Sequence, residues 1–225
     1  MNTYINHSGG LTGNGNPSTS ESQKSRKWLR SLLLISLLSV GAVSYAGTIH
    51  DAAKSGDLEQ IQRLIVKGVD VNAHTTRNET PLIIASLAGK GEVVNYLLQR
   101  GADINARSAS GLTALHAAAY AGQAEIVSLL VAKGAAVNDA SNRFGTTPLL
   151  MASEENHIET VRTLLGHGAD VTAVEINGYN PTSQAGWREH WDVLELLLAN
   201  GAVCQAADIA GDWLYGECTA RTNAN

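Results

Sequence analysis

Seven histidines, two cysteines and the adjacent pair Glu154–Glu155 are the side chains of this 225-residue chain whose types suit chemistry. Their spacing argues against most of it. The chain has no His-Glu-x-x-His, no paired Cys-x-x-Cys, no Gly-x-Ser-x-Gly and no glycine-rich phosphate loop. It therefore offers no frame for a metal hydrolase, a zinc clip, an acyl-transfer nucleophile or a nucleotide site. His157, His167 and His190 fall at or near the ends of predicted helices, where a cation suits the local dipole or solvent. Glu154 and Glu155 lie on a predicted helix as a solvated face or as a contact for a basic partner. Asn78-Glu79-Thr80 fits a glycosylation acceptor, but Thr80 already has work as a helix cap. No catalytic residue, metal site or cofactor is expected.

The elements around these residues recur. Gly68, Gly101, Gly134, Gly168 and Gly201 are 33, 33, 34 and 33 residues apart, and each opens a related hexapeptide such as Gly101-Ala-Asp-Ile-Asn-Ala106. A fixed period in this range marks stacked structural repeats. Thr80-Pro81-Leu82-Ile83, Thr113-Ala114-Leu115-His116, Thr147-Pro148-Leu149-Leu150 and Asn180-Pro181-Thr182-Ser183 hold the same register. The threonines are placed to cap a first helix, and Pro81 and Pro148 suit its first position. The recurring glycine stops a second helix. Between unit and cap, Asn78, Gly111, Gly145 and Gly178 suit a turn with positive φ. Ile61/Leu64/Ile65, Val94/Leu97/Leu98, Ile126/Leu129/Leu130, Val161/Leu164/Leu165 and Val193/Leu196/Leu197 give each second helix one apolar stripe. Only a neighbouring unit can bury such a stripe.

With Thr-Pro-Leu-His before the first helix and Gly-Ala-Asp-Val-Asn-Ala after the second, residues 48–206 resemble the ankyrin repeat family. The resemblance implies an all-α solenoid of about five helix-turn-helix repeats joined by hairpin-like turns. The units run at about 48–76, 77–109, 110–142, 143–176 and 177–206, within a domain spanning 47–206. It also implies that His50 and His116, at the fourth place of the Thr-Pro-Leu-His motif, serve the turns structurally. Two departures stand out. One residue is added within Asp139–Gly145. In repeat five, Thr182 and Ser183 replace Leu and His while Trp187 and Trp191 enter, which weakens the expectation of a first helix there but not of a second, Trp191 to Asn200.

The family binds partners through its turn tips and the exposed side of its first helices. Carried across position by position, that face consists of Arg77, Glu79, Leu87, Leu112, Tyr120, Arg143, Phe144, Glu154, Glu155, Tyr179, Trp187 and Arg188. Of the eleven aromatics in the chain, four fall here: Tyr120, Phe144, Tyr179 and Trp187. Aromatics and arginines are the usual anchors of interfaces, and packing between turns or under the C-terminal tail is the alternative for some of them.

The two cysteines are Cys204 and Cys218. Cys204 takes the place of Val71, Ile104, Val137 and Val171, so it reads either as a buried apolar thiol or as half of a disulfide to Cys218. The tail, 207–225, reads as a C-terminal cap whose aromatics cover the last repeat, and that disulfide would close it onto repeat five.

The amino terminus reads differently. Residues 1–23 are rich in Asn, Ser, Thr and Gly without apolar periodicity. Lys24 to Arg30 form a basic cluster, Ser31 to Val43 an apolar run, and Ser44-Tyr45-Ala46 a small-x-small site. This is the order of a secretory signal, with cleavage expected after Ala46. An uncleaved membrane anchor over residues 31–46 is the alternative, although the run is short of the roughly 20 residues a span needs. The formal charge is −5. Residues 1–46 carry four basic and one acidic residue, so the remainder stands at −8. An acidic chain does not invite nucleic acid. The expectation is therefore an exported, periplasmic bacterial protein, monomeric and non-catalytic, that binds an unidentified protein and touches no membrane unless the signal is retained.

Overall fold

In the computed structural model, residues 49–222 are described. They form helices joined by turns, with no strand among them. The helices come in pairs. Residues 49–55 (α1) precede α2 (Leu58–Val66); α3 (Pro81–Leu87) precedes α4 (Gly91–Gln99); α5 (Ala114–Tyr120) precedes α6 (Ala124–Ala132). Then come α7 (Pro148–Glu154) with α8 (Ile158–Gly166), and α9 (Pro181–Trp187) with α10 (Trp191–Ala199). Two further helices, α11 (Ala207–Ala210) and α12 (Asp212–Thr222), follow the last pair. The expected signal over 1–46, its cleavage site and its alternative as an anchor lie outside the described residues.

First helices of seven residues, such as α3 and α7, are too short to persist alone. Caps and neighbours make them. The Thr80 and Thr147 hydroxyls accept the amides of Ile83 (3.4 Å) and Leu150 (3.3 Å), and Pro81 and Pro148 begin the helices. First helices then pack on first helices, α3 on α5, α5 on α7 and α7 on α9, while second helices form a second layer through α4, α6, α8 and α10. Between the layers lies one continuous apolar core. Ile61 and Leu64, Val94 and Leu97, Ile126 and Leu130, Val161 and Leu164, and Val193 and Leu197 are buried in it, with Ile65, Leu98, Leu129, Leu165 and Leu196 partly so. Each fully buried leucine contributes roughly 2 kcal/mol. The chain is an all-helical repeat solenoid.

Repeat five departs from expectation in an instructive way. Its first helix is formed in full, because the polar residues that replace Leu and His make their own bonds. Asn180 accepts the Ser183 amide (3.0 Å), and the Ser183 hydroxyl accepts the Asn180 amide (3.0 Å), closing a capping box. The Thr182 hydroxyl, buried, donates to Val203 O at 3.1 Å. Satisfied in this way, buried hydroxyls do not weaken the helix.

The tail is corrected as well. It packs on α9 and α10, but its aromatics do not do the covering. Trp213 and Tyr215 remain 53% and 42% exposed, while Leu214 and Cys218, one helical turn apart on the opposite side, are buried. Trp213 only meets the edge of Trp191, with ring centroids 6.1 Å apart. Cys204 and Cys218 are joined by a disulfide, with Cα atoms 5.7 Å apart.

Candidate binding face

The turns that carry the predicted face are braced by one side chain each. The Thr75 hydroxyl accepts the amides of Arg77 (3.2 Å) and Glu79 (3.1 Å), and Ser108 accepts that of Leu112 (3.2 Å). Asn142 Oδ1 accepts Phe144 and Thr146 (both 3.1 Å), and Glu175 Oε1 accepts Asn177 (2.9 Å) and Tyr179 (3.3 Å). Four residue types do one job, so identity in the sequence could not reveal it. Tips are then tied to tips: Ala109 N donates to Arg77 O (2.8 Å), Arg143 N to Ser110 O (3.0 Å) and Ile176 N to Phe144 O (2.9 Å).

His116 fixes the turn of repeat four from below. It is fully buried, and its Nδ1 accepts the Thr113 amide at 3.3 Å. Nε2 therefore carries the proton and donates to Asp139 O and Thr146 O, both at 3.0 Å. Burial holds the imidazole below its usual pKa, against the pull of the surrounding carbonyls and of Asp139. Asp139 is itself largely covered. That burial opposes its charge, yet the Arg107 guanidinium at 2.9 Å and the Ser141 amide hold its carboxyl below the ordinary value. His50 makes the analogous bond in repeat one, from Nε2 to Ala73 O at 2.9 Å.

Leu87, Tyr120, Glu154 and Trp187 each end a first helix, at one register. Leu87, Tyr120 and Trp187 stand about half exposed there, at 46%, 50% and 53%. Arg77, Arg143 and Phe144 are exposed at the tips, and Glu79, Leu112 and Tyr179 are half-buried just before the caps. Glu155 and Arg188 cap the ends of α7 and α9. The structure brings Glu79, Leu87, Leu112 and Tyr120 together on one groove of about 260 Å³. Ile83, Ser108, Ala117 and Met151 complete it, with His116 at its floor. Arg143, Phe144, Tyr179 and Trp187 do not line this groove, and Glu154 and Arg188 form an ion pair with each other. Sequence reasoning missed Ala117 and Met151, though both occupy one register of the first helices, three residues before Tyr120 and Glu154.

The other histidines need correction. His157 and His190 precede α8 and α10 as N-caps, the end of a helix that repels a cation. Each instead faces a carbonyl of the preceding repeat: His157 Nε2 lies 3.0 Å from Tyr120 O, and His190 Nδ1 lies 3.3 Å from Ser153 O. His167 does sit at the carboxyl end of α8, with Nε2 3.0 Å from Ser128 Oγ. Lys90, Gln123 and His157, at this N-cap position, lie over glycines of the preceding unit. A Cβ on Gly56, Gly89 or Gly122 would come within 2.8, 2.7 and 2.6 Å of Lys90, Gln123 and His157 respectively. Among the described residues, no group of three His, Cys, Asp or Glu side chains is placed to hold a metal, and no helix is long and apolar enough to cross a membrane.

Paired antiparallel helices stacked in register, with hydrogen-bonded turns projecting on one side, define a helical-repeat binding scaffold. The profile of ankyrin repeats (three copies) matches residues 49–141 and 136–208, and the chain belongs to the ankyrin-repeat family. Comparison with curated proteins finds no match. Ankyrin repeats in general are protein-interaction modules and are typically non-catalytic.

Proposed function

We propose that this chain works after export as a monomeric, non-catalytic module that binds one protein partner through its turn and first-helix face. The groove between repeats two and four receives the partner's anchor side chain. The observation that carries this reading is the convergence of Ile83, Leu87, Leu112, Tyr120 and Met151 on one open apolar depression. Exposed apolar surface gathered in a concavity marks an interaction site more strongly than the same residues scattered. Glu79 at its border gives a polar group for orientation.

The test is an affinity capture from the envelope fraction beside a Leu87→Ala/Tyr120→Ala double variant of unchanged helicity. A partner held by the first and lost by the second supports the groove, and truncating such an anchor costs about 2 kcal/mol of affinity. A partner retained by both removes the groove and shifts attention to Phe144, Tyr179 and Trp187. Export rests on the order of Lys24–Arg30, Ser31–Val43 and Ser44-Tyr45-Ala46. Amino-terminal sequencing of the purified protein is expected to begin at Gly47. A chain that keeps residues 31–46 is instead a membrane-tethered scaffold.

A further inference from the structure

We propose that the Cys204–Cys218 disulfide is a reducible latch on the C-terminal cap. When it opens, α12 lifts from repeat five while the other repeats stay folded. The inference begins with how little apolar burial holds the cap beside the surface ties of Arg221 to Trp191 and Glu195. From 209 to 222, the buried apolar side chains are Ala210, Leu214 and Cys218, whereas Ile209, Trp213 and Tyr215 stand about half exposed. Helix α12 has eleven residues and includes Gly216, Thr219 and Thr222, all poor helix formers. A helix of this length has no independent stability in water. Its contact with the array is nevertheless intimate. Leu214 seats against Gly186, where a Cβ would lie 2.3 Å from Leu214 Cδ1. No water-sized space remains among Thr182, Ser183, Gln205, Leu214 and Cys218. Such a contact is tight when held in place and weak in retention, and the covalent bond supplies the retention.

The two sulfurs differ in access. Cys218 is 3% exposed, whereas Cys204 is only partly buried, with the Thr222 hydroxyl 3.5 Å from its sulfur. A dithiol reductant therefore attacks Cys204 Sγ as its thiolate. The S–S bond breaks, and its electron pair leaves on Cys218, which takes up a proton. The second thiol of the reductant then displaces Cys204 from the mixed disulfide. The reductant departs as a disulfide, and two thiols remain on the chain. With the bond gone, the Leu214–Gly186 seat is the main tie of α12 to α9, and Gly186 directly precedes Trp187. On the binding reading given above, the redox state of the cap thus governs how firmly the Trp187–Arg188 end of the face is held. The latch itself does not depend on that reading.

Hydrogen exchange read by mass spectrometry tests it without any partner. Full chain is compared oxidised, reduced by a phosphine, and as a Cys204→Ser/Cys218→Ser variant. The expected result is exchange in α12 at least tenfold faster in the reduced and variant chains, a smaller rise in α9, and no change from α3 to α8. Equal protection of α12 in all three chains would show that packing alone holds the cap. Loss of protection from α3 to α8 together with α12 would make the disulfide a support of the whole fold. Either result overturns the latch.

Discussion

Protonating His116 would leave its Nε2–H bonds to the turn of repeat four but would put a proton on Nδ1, where the Thr113 amide donates, and a charge on a fully buried ring. Its folded pKa lies below the 6.5 of the free side chain, so on acidification the unfolded chain takes up a proton before the folded one. The stability contributed is complete above pH 6.5 and is lost as pH falls from there through the depressed folded value. Melting temperature measured between pH 8 and 5 should therefore decline, and His116→Gln should flatten that decline while lowering the plateau. Asp139 adds a second loss of the same sign in a lower window, below 3.8, as protonation breaks its pair with Arg107. At Gly186 the sign is set by space. Gly186→Ala forces a Cβ into Leu214 and should destabilise the protein by about 1–3 kcal/mol. Denaturant melts of Gly186→Ala, Leu214→Ala and the double variant check this. The two changes should be strongly non-additive, because they act on one contact.

At the scale of the helix, the sequence announced most of what the structure holds. Threonine, proline and glycine at fixed places state where α3, α5 and α7 begin and where α4, α6 and α8 end, because capping and positive φ demand few residue types. The stripes Val94/Leu97 and Ile126/Leu130 are legible for the same reason. The brace at 75, 108, 142 and 175 was not, since Thr, Ser, Asn and Glu all supply an oxygen at the required reach. The groove was half legible. Leu87 and Tyr120 follow from register, while Ala117 and Met151 required knowing which side of each short helix is left uncovered. The caps allow a measurement: Thr80→Ala and Thr147→Ala should each cost about 1 kcal/mol, read by chemical denaturation. Leu97→Ala, in the core between α4 and its neighbours, should cost about 2–5 kcal/mol.

Over the whole molecule, each repeat depends on the next, so stability is shared between nearest neighbours. Removing residues 207–222 should leave repeats two to four folded and fray α9 and α10 first, since α12 packs on those two helices. Limited proteolysis is expected to cut such a truncated chain within repeat five. Survival of α10 in that experiment would mean that the last repeat closes its own core.

The side chains that lie over glycines between units also bear on how such a chain can grow. Lys90, Gln123 and His157 lie over Gly56, Gly89 and Gly122, where an added Cβ would have to push each side chain aside. At the corresponding places of repeats four and five stand Asn156 and Glu189, residues with a Cβ. Gene duplication within repeats one to three copies both halves of each junction, and the new unit fits where it lands. A copy of repeat two or three inserted after repeat four or five would meet a Cβ there and would have to turn its N-cap side chain, as His190 does over Asn156 by reaching Ser153 O with Nδ1. Lengthening at the front of the array therefore keeps the existing fit, whereas lengthening at its back asks an N-cap side chain to move aside.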